Sequence, residues 1–146
     1  GGSLDLKAGQ LIDRVGVMLG LSFPAGPALE ALAAGADGVK EPRAVLRGSD
    51  CHLSGVENQC RTMLDKGVPP AEIARFCLLS VLAAIDGMTA ALRRTYGPLP
   101  LLYAGGVMAN RLLRAELEKR HGGRFAPPEY SADNAAGIAW LGAMTA

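Results

Sequence analysis

The chain has 146 residues, 49% hydrophobic and 20% charged, with a formal net charge of +1. That is the size and balance of one globular domain able to bury a core, and it excludes a broad nucleic-acid-binding face. Cys51, Cys60 and Cys77 are odd in number, lack C-x-x-C spacing and have only His52 and His121 as companions, so they indicate neither a disulfide framework nor a zinc site and fit a reducing cytosol.

Gly1-Gly-Ser3 reads as a flexible start with no secretory signal. A first helix is predicted over residues 5–19, because Leu11, Ile12, Val15, Met18 and Leu19 recur on one side and Gly20 is a natural stop; Asp13 lies beside that stripe. Pro24-Ala-Gly-Pro27 then breaks the chain before a second helix over 28–34. Gly26, having no Cβ, lets a ligand or another backbone come close. Taken on composition alone, Asp13 and Glu30 are ordinary surface carboxylates. Residues 36–49 are rich in Gly, Pro and charge and predict a surface loop with a short extended piece at Val45-Leu46.

After Asp50-Cys-His-Leu-Ser-Gly55 a helix runs from Ser54 or Gly55 to about Lys66. Pro69-Pro70 opens the longest helix, in which Ala74, Cys77, Leu78, Val81, Leu82, Ile85, Met88 and Leu92 form a stripe wide enough to pack on two sides. Its apolar run from Phe76 to Ile85 is too short to span a bilayer, and no membrane association is expected.

The chain is organised around residues 99–110. Apolar residues at 99–104 are too few for a helix and predict a short buried strand; Gly105-Gly106 permits a sharp turn, and Leu112, Leu113 and Leu117 place a helix over 106–120. Such a junction sets backbone N–H groups and a helix start at the end of a strand, where α/β sheets bind nucleotides or phosphorylated groups, although a plain turn uses the same glycines. Arg111, Arg114, Lys119, Arg120 and Arg124 fall close together, as a solvated helix face or a local basic patch. Residues 122–126 predict a second short strand. Residues 131–144 predict a small-residue helix with Ser131 or Asp133 as N-cap. The fold class is therefore α/β, helix-dominated, as a single domain with its sheet centred on residues 99–104.

Four stretches carry a family resemblance. Ala8-Gly-Gln-Leu-Ile-Asp13-Arg, Leu19-Gly-Leu-Ser-Phe-Pro-Ala-Gly26-Pro, Ala104-Gly-Gly-Val-Met-Ala-Asn110-Arg-Leu-Leu-Arg114 and Tyr130-Ser-Ala-Asp133-Asn-Ala-Ala-Gly-Ile-Ala139 resemble, in order, A-G-E-A-F-D-K, L-G-L-x-[FY]-P-G-G-P, A-G-G-V-x-A-N-x-x-L-R and [CS]-[TA]-D-N-x-A-M-I-A. These belong to the tRNA N6-adenosine threonylcarbamoyltransferase family, formerly labelled O-sialoglycoprotein endopeptidase or glycoprotease. The resemblance runs over nearly all of this chain but corresponds only to the C-terminal portion of a full member. Gln10 and Arg14 replace the family's glutamate and lysine, and Asp50–Gly55 lacks two aromatics and a lysine of D-F-S-F-S-G-L-K.

The resemblance implies part of an actin-like, sugar-kinase-like (ASKHA, ribonuclease H-like) nucleotide-binding domain. It implies an adenine nucleotide or threonylcarbamoyl-adenylate held by Asp13, Gly26, Glu30, Gly105, Gly106 and Asn110, with Asp133 a ligand of a divalent metal, iron or zinc. Family members hold that metal chiefly by an H-x-x-x-H pair and the phosphates against a Gly-rich hairpin; neither motif is in these 146 residues. The chain alone is thus expected not to be a competent transferase and to bind these cofactors weakly. It is the nucleotide-proximal part of an enzyme that modifies tRNA in the cytoplasm, or else a divergent, non-catalytic relative with a structural or interaction role. Expected partners are the N-terminal portion, tRNA, family partner proteins and a second copy through surface the missing strands would cover. The endopeptidase label has no support, since no H-E-x-x-H, Ser/His/Asp or Cys/His arrangement is discernible.

Overall fold

A computed structural model describes residues 1–127 and 143–144. The C-terminal helix expected over 131–144, and Asp133 with it, lie outside the described residues apart from its positions 143–144. The elements in chain order are α1 (Ala8–Met18), α2 (Gly26–Ala33), β1 (Val45–Arg47), β2 (Asp50–His52), α3 (Ser54–Asp65), α4 (Pro70–Tyr96), β3 (Leu102–Tyr103), a 3-10 turn (Gly106–Ala109), α5 (Arg111–His121) and β4 (Arg124–Phe125). The architecture is α/β and helix-dominated, as expected, with two small sheets among the described residues.

The spine is α4. Pro69 and Pro70 set its start, where missing N–H groups cost nothing, and Ile73, Ala74, Cys77, Leu78, Val81 and Leu82 are fully buried along it. It packs against α1, α2, α3 and α5, so its apolar surface is consumed on several sides. By length and composition α4 passes for a membrane-spanning helix, yet 61% of its most apolar window is buried inside the protein, as in a core helix. Leu11 and Val15 of α1, Leu29 of α2, Cys60 of α3, and Leu113 and Leu117 of α5 complete the core.

The N-terminal segment is tied down. Ser3 forms a parallel bridge with Cys51, and Asp5 caps α3 from the far side of the chain. Its Oδ1 accepts the N–H of Leu53 at 2.8 Å and its Oδ2 accepts the Ser54 hydroxyl at 2.6 Å and the Ser54 N–H at 3.2 Å. Desolvation pushes this carboxyl's pKa up, but these bonds and one from the Leu6 N–H outweigh it and hold Asp5 well below the usual carboxylate range.

The extended piece expected at Val45-Leu46 is present as β1 and forms half of an antiparallel hairpin, with Leu46 opposite Cys51 across a turn at Gly48 (φ 65°). Two other expectations need correction. The strand expected over 99–104 contracts to Leu102–Tyr103, paired in parallel with β4, and Leu99 and Leu102 are exposed rather than buried. Pro98 and Pro100 supply no N–H on either side of Leu99, and β4 offers only two residues to pair with. The helix expected from 106 begins at Arg111 instead, because residues 106–109 form the 3-10 turn and Asn110 (φ −63°, ψ 124°) takes the extended backbone of an N-cap.

Candidate functional site

The β3–turn–α5 junction and the start of α2 face each other across a cleft of about 610 Å³. Gly105, at φ 103°, makes the reversal after β3 and lays the 3-10 turn along one wall. The apolar lining comes from Ile12, Pro27, Ala31, Ala34, Val107 and Ala109, and the polar side chains are Glu30, Asn110 and Arg111. A largely apolar concavity of this size with a few convergent polar groups suits a flat ring carrying hydroxyls.

Two of those polar side chains each use one atom to build the wall. Asn110 Oδ1 accepts the Leu113 N–H at 3.1 Å, capping α5. Glu30 Oε1 reaches across the cleft from α2 to accept the Arg111 N–H, also at 3.1 Å, so a second free donor of the α5 start is satisfied by another helix. Glu30 Oε2 and the Asn110 amine have no hydrogen-bond partner among the described residues. One acceptor and one amide donor are thus left for a ligand.

Of the six residues singled out from the sequence, Gly26, Glu30, Gly106 and Asn110 line this cleft, and Asp13 and Gly105 do not. Asp13 lines a neighbouring groove of about 520 Å³ between α1 and α3, with Gln10, Arg14, Val17, Met18, Phe23, Glu57 and Arg61. Its Oδ1 accepts the Ala25 N–H at 2.8 Å, which pins the turn one residue before Gly26. Asp13 therefore reaches the cleft through the backbone of Ala25 and is not the free surface carboxylate that composition suggests. Sequence reasoning missed Ile12, Pro27, Val107 and Arg111. Pro27 and Arg111 were legible as immediate neighbours of Gly26 and Asn110.

Among the described residues no group of three His, Cys, Asp or Glu side chains is placed to hold a metal ion, so these residues alone do not fit a metal centre. His52 Nδ1 lies 3.4 Å from Asp5, and His121 Nε2 lies 2.8 Å from Asp86. Two members of the basic cluster are engaged as well. Arg120 pairs with Glu41, Glu116 and Asp86, and Arg114 sits 5.1 Å over the Phe125 ring, which stacks on Tyr103.

The TsaD family model, described as tRNA N6-adenosine threonylcarbamoyltransferase, matches residues 1–140. The protein of that name from Gluconobacter oxydans is 36% identical over 96% of this chain and 44% of its own length. Those of Thermus thermophilus and Chlorobium phaeovibrioides are 35% and 36% identical, over 95% and 97% of this chain and 44% and 48% of their own. The chain thus spans a little under half the length of the relatives it matches. With the match extending over nearly all of its residues, the chain belongs to the tRNA N6-adenosine threonylcarbamoyltransferase family.

Proposed function

We propose that this chain is the C-terminal, nucleotide-proximal domain of a transferase that moves a threonylcarbamoyl group to N6 of adenosine in tRNA, and that the α2–α5 cleft takes the adenosine part of an adenine nucleotide or threonylcarbamoyl-adenylate. The observation that carries the reading is that Glu30 and Asn110, each anchored through one atom to the start of α5, keep a second polar atom free beside an apolar wall. The base lies against Ile12, Pro27, Val107 and Ala109. Glu30 Oε2 accepts a ribose hydroxyl, and the Asn110 amine donates to the base or sugar. Gly26 and Gly106 leave room for that approach, since a Cβ at either position would meet nothing within 4 Å and would project into open space. Gly105 acts by shaping the turn, and Asp13 acts by holding Ala25, one residue before Gly26.

The finer architecture that follows is half of an actin-like, sugar-kinase-like domain. Asp133 is one ligand of an iron or zinc ion whose remaining ligands come from the rest of the polypeptide, and transfer needs that portion together with tRNA and partner proteins in the cytoplasm. These 146 residues alone supply the nucleoside pocket and no complete reaction centre. Exposed Phe23, Leu99 and Leu102 are the faces through which the isolated chain self-associates.

Calorimetric titration of the chain with adenosine and 2′,3′-dideoxyadenosine tests the pocket. Adenosine is expected to bind with a Kd of roughly 0.1–1 mM, and loss of the ribose hydroxyls to weaken it by about tenfold. Equal binding of both nucleosides, or Glu30→Ala binding as the parent does, would sink the reading.

A further inference from the structure

A second pocket, of about 140 Å³, lies between the β1–β2 hairpin, α3 and α4 and shares no lining residue with the α2–α5 cleft. Leu53, Val56, Phe76 and Ala84 give it an apolar wall, and His52 and Ser80 bring polar atoms to it; Arg43 and Gln59 line it from exposed positions. Leu53, 3% exposed, stands where the D-F-S-F-S-G-L-K pattern has its second aromatic, so a smaller side chain faces the pocket from a buried position. An apolar cavity of about 150 Å³ is enough to hold one benzene ring.

The polar atoms inside agree on what they ask of a ligand. Ser80 donates its hydroxyl hydrogen to the Phe76 carbonyl at 2.8 Å, so its oxygen is left as an acceptor. His52 Nδ1 lies 3.4 Å from Oδ2 of Asp5, a carboxylate that four hydrogen bonds hold in its charged form. A carboxylate on that side favours the imidazole tautomer with its hydrogen on Nδ1, which leaves the Nε2 lone pair free. Nε2 has no hydrogen-bond partner among the described residues. Two acceptors beside an apolar wall suit a ligand with one donor, and they disfavour a carboxylate, whose oxygens would face lone pairs. We propose that this pocket binds a neutral single-ring aromatic carrying a hydroxyl, with the ring against Leu53, Val56 and Phe76 and the O–H donated to His52 Nε2. The site is independent of the adenosine reading of the α2–α5 cleft.

Calorimetric titration of the 146-residue chain with phenol, toluene and benzoate tests the proposal. Phenol is expected to bind with a Kd of roughly 0.3–3 mM, toluene about fivefold more weakly for want of the hydrogen bond, and benzoate more weakly still. His52→Leu keeps an apolar body and removes the acceptor, so phenol should fall to toluene's affinity while toluene binds as before. His52→Gln, whose amide oxygen accepts, should restore part of the preference for phenol. Leu53→Phe should fill the pocket and weaken both ligands by about tenfold or more. Circular dichroism matched to the parent verifies that each variant is folded. Failure of phenol to bind the folded parent, toluene bound as tightly as phenol, or benzoate bound more tightly than either overturns the proposal. So does a folded Leu53→Phe variant that binds phenol as the parent does. Should Leu53→Phe not fold, His52→Leu decides alone: a preference for phenol that survives it shows that Nε2 does not hold the ligand.

Discussion

Asn110 has two separable roles. Its Oδ1 satisfies the Leu113 N–H at 3.1 Å, Asn110 is 8% exposed and Leu113 fully buried, so water cannot readily replace the lost acceptor. Replacing an N-cap asparagine by alanine costs about 1 kcal/mol, and up to about 2 where the donor stays buried and unpaired. Asn110→Ala should therefore fall near the upper figure and lower the melting temperature by about 4–7 °C for a chain of this size. Serine is an equally good N-cap but lacks the amide nitrogen. Asn110→Ser should recover all but about 0.5 kcal/mol of the stability while still weakening adenosine binding by roughly threefold to tenfold. Urea melts at constant m-value measure the first effect and calorimetry the second. An Asn110→Ala variant as stable as the parent would show that the cap does not hold α5. An Asn110→Ser variant that binds adenosine normally would show that the amide does not touch the ligand.

Two further predictions concern the scaffold. Asp5→Ala should cost about 2 kcal/mol at pH 7, since it strips acceptors from the first turn of α3. Because the folded carboxyl titrates below its unfolded value of about 3.9, its contribution is complete above that pH and is lost as pH falls toward the folded value; the gap between parent and variant should thus shrink by about 1 kcal/mol at pH 3. A gap that stays constant from pH 7 to pH 3 in denaturant melts would contradict this. Gly16→Ala would place a Cβ 2.2 Å from the Ala25 Cβ, so α1 or the turn before α2 must move. The clash costs about 1–3 kcal/mol against a gain of about 1 in helix propensity, and the measured sign should be destabilising. That variant should also weaken adenosine binding, since Ala25 precedes Gly26; a stabilised variant would mean that α1 and α2 adjust freely.

The helices were legible because their signals are local. The stripe of Leu11, Ile12 and Val15, the stops at Gly20 and Gly67 and the Pro69-Pro70 start each sit within a few residues of what they determine. The sheets were harder to read. Asp50-Cys-His alternates polar and apolar with Cys51 buried, but three residues are too short a run to announce a strand, so the pairing with Val45–Arg47 is visible only once the chain is folded; Pro98 before the apolar run at 99–104 and Pro100 within it forbid a long ladder. In the candidate site, the glycines and Asn110 announced a turn and a helix start. The bond from Glu30 to the Arg111 N–H joins residues 81 apart, and no periodicity reveals it.

Those long-range bonds change how the structural and binding readings of the site relate. A helix cap and a ligand contact compete when they need the same atom. In this cleft they use different atoms of one side chain: Asn110 caps through Oδ1 and offers its amine, and Glu30 bonds Arg111 through Oε1 and offers Oε2. Asp13 is anchored in the same way, with Oδ1 on Ala25, but it lines the neighbouring groove. Each anchoring bond removes rotational freedom from the side chain before any ligand arrives, so the entropy of ordering it is spent on folding and not on binding. A carboxylate or amide that is half consumed by the scaffold is on this ground a better ligand-binding group than a free one, and its structural bond is part of what makes it so.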